Sequence, residues 1–198
     1  DTSTLDLTRM NERAKQGDGD ALYARALLKS EGVPGIPGLA TDLMLDAAIS
    51  GSLDAQWQLA RCQLEGNGCQ PNETKGLHWL KLAADTNLIH ARLELASRQG
   101  DNKTLIALSN LGYVPAILAH TERLLSEGKY KSKQNAHKLS VQASLLFPHS
   151  PHFFALAGLT AKHLGEQEQA KRYFKRAGAL AYRYGLPNDY IELWLNGR

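Results

Sequence analysis

The chain has 198 residues, of which 43% are hydrophobic and 22% are charged. This composition excludes a disordered chain, and the length suffices to bury a sizeable core, either as one large domain or as an array of small units. No apolar run approaches the ~20 residues that span a bilayer, so we expect no transmembrane helix. The net charge of +3 hides an asymmetry, because residues 1–119 carry a balance of −3 and residues 120–198 a balance of +6. The C-terminal part is therefore the expected contact for an anionic partner.

The sequence repeats itself with a spacing of 34 to 36 residues, since residues 17–51 align with residues 51–87. The matching pairs are Asp20-Ala21 with Asp54-Ala55, Tyr23 with Trp57, Gly32 with Gly66, and Ala47-Ala48 with Ala83-Ala84. A period of this length is the signature of architectures that stack small structural units, each of which buries its apolar face against its neighbours.

Each repeat is predicted to consist of two helices joined by a turn. In the second repeat the first helix covers about 53–65, and Gly66 ends it because glycine tolerates the left-handed conformation at a helix C-terminus. Asn72 is a good N-cap for a second helix near 73–85. Strict alternation of apolar and polar residues is absent, so no strand pattern competes. We therefore expect one all-α domain over residues 1–198, an α-solenoid of helix-turn-helix repeats.

About five repeats and a C-terminal capping helix are expected. The repeats cover approximately 17–50, 51–87, 88–112, 113–148 and 151–185, and the cap covers 186–198. The fourth repeat has helices near 115–127 and 133–146, and the cap contains a short helix over 188–196. The two helices of a hairpin approach closely only where one side chain is nearly absent. Those positions are Ala60, Ala83, Gly158 and Ala177.

These residues resemble Sel1-like repeats, a subclass of the tetratricopeptide repeat superfamily. The second repeat carries most of the pattern, with Ala55, Leu59, Gly66, Gly68, Trp79, Ala83 and Ala84. The fifth is closer to an ordinary tetratricopeptide repeat, with Ala157, Gly158, Ala161, Gly165, Ala170, Phe174 and Ala177. The departures from the pattern are Ala60 in place of the usual glycine, Arg25 in place of leucine, and Cys69 in place of valine. The resemblance covers roughly residues 17–185.

The resemblance also implies a role and a location. Proteins with such repeats are mostly adaptors that bind other proteins, and many bacterial examples act in the cell envelope. We therefore expect a non-catalytic adaptor or scaffold that binds another protein. The start at Asp1, without a signal peptide, fits a processed secreted protein and a trimmed chain equally. We expect a periplasmic or secreted protein, with a cytoplasmic location as the alternative.

The first helices of such repeats line the binding face. By resemblance, this face carries Asp20, Tyr23, Asp54, Trp57, Arg61 and His90. Tryptophan and arginine are the residue types that most often anchor interfaces. Tyr23 and Trp57 fit core packing between neighbouring helices equally well, and the sequence leaves this choice open.

The chain has two cysteines, Cys62 near the end of a predicted helix and Cys69 in the returning loop. They fit two small buried apolar residues and a disulfide equally well. A metal or redox site fits less well, because six intervening residues are not a zinc or thioredoxin spacing. We expect the two Cα atoms to lie under ~7 Å apart.

No pattern in the sequence indicates catalysis, a cofactor or a metal. The chain has no Gly-x-Ser-x-Gly, no phosphate-binding loop and no His-Glu-x-x-His, so we expect no enzyme. His149 and His152 are the one close pair of histidines, and they fit a turn between repeats better than a metal site.

Four cations are predicted to lie on one face of the last long helix, opposite its apolar face. This basic stripe consists of Lys171, Arg172, Lys175 and Arg176. It fits a solvated helix surface or a docking surface for an acidic partner, including an anionic polysaccharide. A glycan-binding module is accordingly the alternative function, since aromatic faces also stack on sugar rings. No nucleic-acid recognition motif is present, and we expect no nucleic-acid partner.

Overall fold

A computed structural model describes residues 2–187 and 189–197 of the chain. Within these residues the protein folds into twelve α-helices and has no strand. The helices are α1 Thr2–Lys15, α2 Gly19–Ser30, α3 Ala40–Ile49, α4 Leu53–Glu65, α5 Glu73–Asp85, α6 Ile89–Gln99, α7 Asn102–Asn110, α8 Val114–Ser126, α9 Tyr130–Leu146, α10 Pro151–Leu164, α11 Gln167–Arg183 and α12 Tyr190–Asn196. The fold class is the all-α solenoid of helical repeats that the sequence predicts.

Local turn chemistry sets the helix boundaries. α4 ends at Gly66, which adopts the left-handed conformation with φ 76° and ψ 14°. α5 begins after Asn72, whose side chain accepts a hydrogen bond from the backbone N–H of Lys75. Asp18 and Asp101 cap α2 and α7 in the same way. The two helices of the second repeat therefore have the predicted bounds.

Other boundaries differ from the prediction. α9 begins at Tyr130, three residues earlier than expected. The capping helix begins at Tyr190, and Asn188, the first residue of its predicted span, lies outside the described residues, as do Asp1 and Arg198. α1 was not predicted, because it has no counterpart in the repeat pattern. It packs on α2.

The chain divides into two compact units, Asp1–Gly100 and Asp101–Arg198. The first unit contains α1–α6 and the second contains α7–α12. The boundary falls between the two helices that the sequence assigns to the third repeat.

The first unit is held together by close contacts of small residues. α2 packs on α3, and α4 packs on α5, with α3–α4 and α5–α6 contacts joining successive hairpins. Ala60 and Ala83, the predicted points of close approach, are fully buried in one cluster with Leu80. Trp79 packs against this cluster and against the neighbouring cluster around Leu59. Large side chains thus fill the layer that the alanines leave open.

The second unit follows the same rule. α9 packs on α8 and on α10, and α10 packs on α11. A Cβ atom on Gly158 of α10 would lie 2.9 Å from ring atoms of Phe174 on α11, so this position needs a residue without a side chain. α12 contacts α10 and α11. His149 lies in the predicted turn, whereas His152 belongs to α10 and its Nε2 lies 2.9 Å from the Tyr190 hydroxyl of α12.

No helix in the described part of the chain is long and apolar enough to cross a membrane.

Candidate protein-interaction surface

The predicted binding residues of the first unit lie on α2, α4 and α6. The first-unit surface consists of Asp20, Tyr23, Asp54, Trp57, Arg61 and His90. Asp20, Asp54 and His90 are exposed, whereas Tyr23, Trp57 and Arg61 are half-buried. Direct contacts join Trp57 to Arg61 and to His90. Asp20 lies one turn before Tyr23 on α2.

Trp57 connects α4 to α6. Its indole Nε1 donates a hydrogen bond of 3.0 Å to Oε2 of Glu94, and its ring centroid lies 5.5 Å from that of His90. The same ring packs against the buried cluster that contains Ala60 and Leu80. Trp57 therefore has a packing role between helices, and the rest of its ring remains at the surface.

Tyr23 connects α2 to α4 in a similar way. It packs against the buried cluster that contains Ala47 and Leu59, and the side chain of Gln58 lies beside its hydroxyl. Burial raises the pKa of Tyr23 above its usual value, and the negative charge of Asp54 acts in the same direction. The matching aromatic residues of two repeats thus each contact the first helix of the next repeat.

Charged pairs surround the exposed part of Trp57. The guanidinium of Arg61 lies 5.3 Å from the Trp57 ring centroid, within cation–π range, and its Nε donates to Oε1 of Glu65 at 3.2 Å. The Arg61 hydrogen bond is the main cause that holds the pKa of Glu65 below its usual value. Arg98 donates from Nε and Nη2 to Oε1 of Glu94, at 3.2 and 3.1 Å. Two arginines and two glutamates give this cluster no net charge, and exposed pairs of this kind exchange partners at little cost.

A cleft of about 370 Å³ opens beside Arg61, between α2, the start of α3 and α4. Its apolar lining includes Leu27, Met44 and Leu59. Its polar lining consists of Ser30, Thr41, Gln58, Arg61, Glu65 and Asn67. The volume is typical of a pocket that accepts a small molecule or a single large side chain. The sequence indicates Arg61 but not the cleft, because α2 and α4 meet only in the folded chain.

The disulfide between Cys62 and Cys69 lies at the edge of this cleft. The two Cα atoms are 5.8 Å apart, within the expected bridging distance. The bond fixes the loop after α4, whose Asn67 and Gly68 line the cleft. Because both sulfur atoms take part in the bond, neither is a thiolate that could bind a metal.

All four residues of the basic stripe are exposed on α11. Lys171 pairs with Glu168 at 2.7 Å, and the guanidinium of Arg176 lies 5.7 Å from the ring centroid of Phe154. Ala170, Ala177 and Leu180 are buried on the opposite face, as predicted. Glu168 offsets one of the four charges, and the exposure of the stripe is common to a solvated helix surface and a docking surface.

A polar cluster that resembles a catalytic arrangement joins α9 to α10. His137 Nδ1 lies 2.9 Å from Thr160 Oγ1, and His137 Nε2 lies 3.9 Å from Glu166 Oε2. Ser140 Oγ lies 2.8 Å from the same threonine oxygen. Thr160 is fully buried, and its hydroxyl also bonds the backbone carbonyl of Leu156, so it is no accessible nucleophile. The cluster satisfies buried hydroxyls between two packed helices.

Within the described residues, no group of three or more His, Cys, Asp or Glu side chains could hold a metal ion.

Comparisons with known proteins identify the fold. No protein-family model matches the chain, and no curated protein shows significant similarity to it. A Sel1 repeat protein from Oxalobacter formigenes has a similar structure, with a TM-score of 0.50 and 16% sequence identity, over 86% of this chain and 83% of its own. A protective antigen present in uropathogenic Escherichia coli strains, which displays an SLR fold, matches with a TM-score of 0.44 and 15% identity, over 96% of this chain and 47% of its own. The chain therefore has the Sel1-like repeat fold, as the residues of its second repeat predict.

Proposed function

We propose that the chain is a non-catalytic adaptor that binds a segment of another protein on the first-unit surface. The cleft beside Arg61 carries this proposal, because it combines an apolar lining with hydrogen-bonding groups at its edge. Helical repeat folds present extended surfaces of this kind, and their binding sites are built from side chains of successive repeats.

The residue types around the cleft suit a protein partner. Arg61 and Trp57 are types that carry much of the binding energy at interfaces. Leu27 and Met44 line a space in which one large apolar side chain of the partner would be buried. The charge-neutral cluster around Trp57 favours a segment with mixed polar groups over a strongly charged one.

The alternative of a glycan-binding module has less support. Stacking on sugars needs aromatic faces that are open to solvent, whereas Tyr23 and Trp57 are half-buried and Trp57 also bonds Glu94. The basic stripe remains the surface that an acidic polysaccharide would contact.

A bacterial envelope location, periplasmic or secreted, is part of the proposal. The Cys62–Cys69 disulfide supports it, because disulfides persist in oxidising compartments and are rare in the cytosol. Thiol titration of the denatured, unreduced protein, isolated from its native compartment, tests this point. No reactive thiol is expected, and two free thiols would contradict the location.

Photo-crosslinking tests the surface directly. A photoreactive amino acid is placed at Leu27, which lines the cleft and is 37% exposed, and as a matched control at Leu82 of α5, which is 39% exposed. After irradiation of native envelope extract, the Leu27 variant should give a discrete adduct with one protein and the Leu82 variant should not. Equal adducts from both positions, or none from Leu27, would rule out this surface.

A further inference from the structure

A groove in the second unit separates α7 from α9, with α8 as its floor. Two cavities, of about 520 and 380 Å³, lie along it and share the lining residues Leu139 and Gln142. Shared walls make them one continuous groove, and its volume suits a short peptide segment. None of the residues of the first-unit surface takes part in it.

One end of the groove is apolar. Ile117 and Ala143 are buried at its base, and Leu139 is half-buried beside them. Leu145 and Leu146, at the end of α9, line the same cavity although they are 74% and 66% exposed. Single exposed leucines are ordinary, but two adjacent ones at the edge of a cavity provide apolar area for a ligand to bury.

The other end is cationic. Arg123 and Lys138 line it, and none of the described residues that line this cavity is acidic. Arg123 Nη2 lies 3.7 Å from Glu127 Oε1, which is too far for a hydrogen bond. The other oxygen of that glutamate accepts a hydrogen bond of 2.5 Å from Ser132. Glu127 therefore forms an ion pair with Arg123 but no hydrogen bond to it.

Arg123 also has a donor that the described part of the chain does not satisfy. Its Nε is buried and has no hydrogen-bond partner among the described residues. A buried donor without an acceptor is costly, and the guanidinium that carries it can form charge-assisted bonds with a carboxylate. Beside it, His120 Nδ1 lies 3.1 Å from Ser109 Oγ. Burial, and then the charge of Arg123, lower the pKa of His120, so this ring contributes hydrogen bonding and no third charge at neutral pH.

Three exposed amides distinguish a peptide from a simple acyl anion. Asn110 lines the apolar end of the groove, Asn135 lines the cationic end, and Gln142 lines both. Such amides pair with the N–H and C=O groups of a peptide backbone, whereas an acyl chain offers them nothing. The second unit as a whole carries 13 Lys/Arg and 7 Asp/Glu, a balance of +6 that attracts an anionic partner.

We propose that the α7–α9 groove binds a peptide segment in which a carboxylate side chain lies next to a bulky apolar one. The carboxylate contacts Arg123 and Lys138, and the apolar side chain contacts the leucines at the end of α9. This site is separate from the first-unit surface and gives the adaptor a second docking point.

Titration of the full chain with short peptides, followed by amide NMR signals, tests the proposal. The probes are acetyl-Leu-Glu-Leu-amide, its Gln analogue and octanoate. The acidic peptide should shift signals of α7–α9 and bind at least about tenfold more tightly than the Gln analogue, as expected for loss of one charged hydrogen-bond partner. Equal affinity of the two peptides, or shifts located elsewhere, would overturn the proposal. Octanoate binding as tightly as the acidic peptide would also overturn it, in favour of a site for acyl anions.

Variants locate the effect. Arg123→Gln and the exposed Lys138→Gln should each weaken binding of the acidic peptide by about tenfold or more. The matched control Arg183→Gln, at an exposed position of α11, should leave it unchanged. Lys138 lies at the surface, so its variant keeps the test valid if Arg123→Gln unfolds the chain. Full affinity in a folded Lys138→Gln chain would contradict the site.

Discussion

Trp57 offers the sharpest test of how the first-unit surface is built. Trp57→Phe keeps an aromatic ring between α4 and α6 but removes the N–H that bonds Glu94. Trp57→Ala removes the ring as well, and with it the contact to the buried cluster around Ala60 and Leu80. Because Glu94 keeps its two hydrogen bonds from Arg98, its carboxylate stays paired in both variants.

The magnitudes follow from these contacts. A lost hydrogen bond with the carboxylate still paired costs ~1 kcal/mol, and the smaller ring adds a little, so Trp57→Phe should cost about 1–2 kcal/mol. A half-buried tryptophan hides roughly 100 Å² of apolar surface, worth ~2.5 kcal/mol. Trp57→Ala should therefore cost about 3–4 kcal/mol in total. Tyr23→Phe, the matching change in the preceding repeat, removes only the hydroxyl beside Gln58 and should cost less than ~1 kcal/mol.

Urea unfolding followed by far-ultraviolet circular dichroism measures these differences. If Trp57→Ala is within about 1 kcal/mol of the wild type, the ring does not hold α4 to α6 and the structural reasoning is wrong. If Trp57→Ala lowers the unfolding free energy by the expected amount, a weaker complex of this variant could result from lost stability as well as from a lost contact with the partner. Arg61, whose removal leaves the core intact, becomes the residue of choice for affinity measurements.

The other predictions concern packing, redox state, pH and charge. Gly158→Ala should destabilise the chain by about 1–3 kcal/mol, because the new Cβ meets the ring of Phe174. Gly178→Ala, with no atom within 4 Å of its added Cβ, should instead stabilise the chain by about 0.5–1 kcal/mol. Equal effects of the two variants on the free energy of unfolding would contradict the packing of α10 on α11. Replacing Cys62 and Cys69 by serine should cost about 2–3 kcal/mol of stability, because the unfolded chain gains conformational entropy when the bridge is lost. Reduction of the wild type should have the same effect. A stability that does not change with reductant would contradict this prediction. Folding lowers the pKa of His120 below its usual value of 6.5, so the unfolded chain binds the proton more tightly. The stability of the wild type should therefore fall relative to that of His120→Gln as the pH drops through 6.5. Parallel profiles of unfolding free energy against pH for the two proteins would refute this. Charge reversal of the whole basic stripe should leave partner affinity unchanged, and a weaker, less salt-dependent complex would identify the stripe as a docking surface instead.

Local signals in the sequence predict much of the fold. Gly66 and Asn72 set the ends of α4 and α5 because a left-handed glycine and an asparagine N-cap act within a few residues of chain. Cys62 and Cys69 are close in sequence, so their proximity could be anticipated from one helix and one turn. α1 has no matching segment elsewhere in the sequence, so the alignment of the repeats does not reveal it.

The candidate sites depend on contacts that the sequence does not contain. The bond from Trp57 to Glu94 spans 37 residues and needs the packing of α4 on α5 and of α5 on α6. The α7–α9 groove is formed by the third and fourth repeats, in which the repeat pattern is weakest. The family resemblance therefore assigns no positions to the side chains that line it. Arg123 and Lys138 look like ordinary surface cations until α7, α8 and α9 are placed around them.

The central claim is that a protein partner docks on the first-unit surface at Arg61. Calorimetric titration with the protein captured by crosslinking at Leu27 tests it most directly. The titration compares Arg61→Glu with a matched charge reversal at an exposed position of α5, Lys81→Glu. We expect Arg61→Glu to weaken binding of the partner by more than ~1 kcal/mol and Lys81→Glu to leave the affinity unchanged. Both variants should keep the helicity of the wild type. Equal affinity of the two folded variants for that partner would contradict the claim.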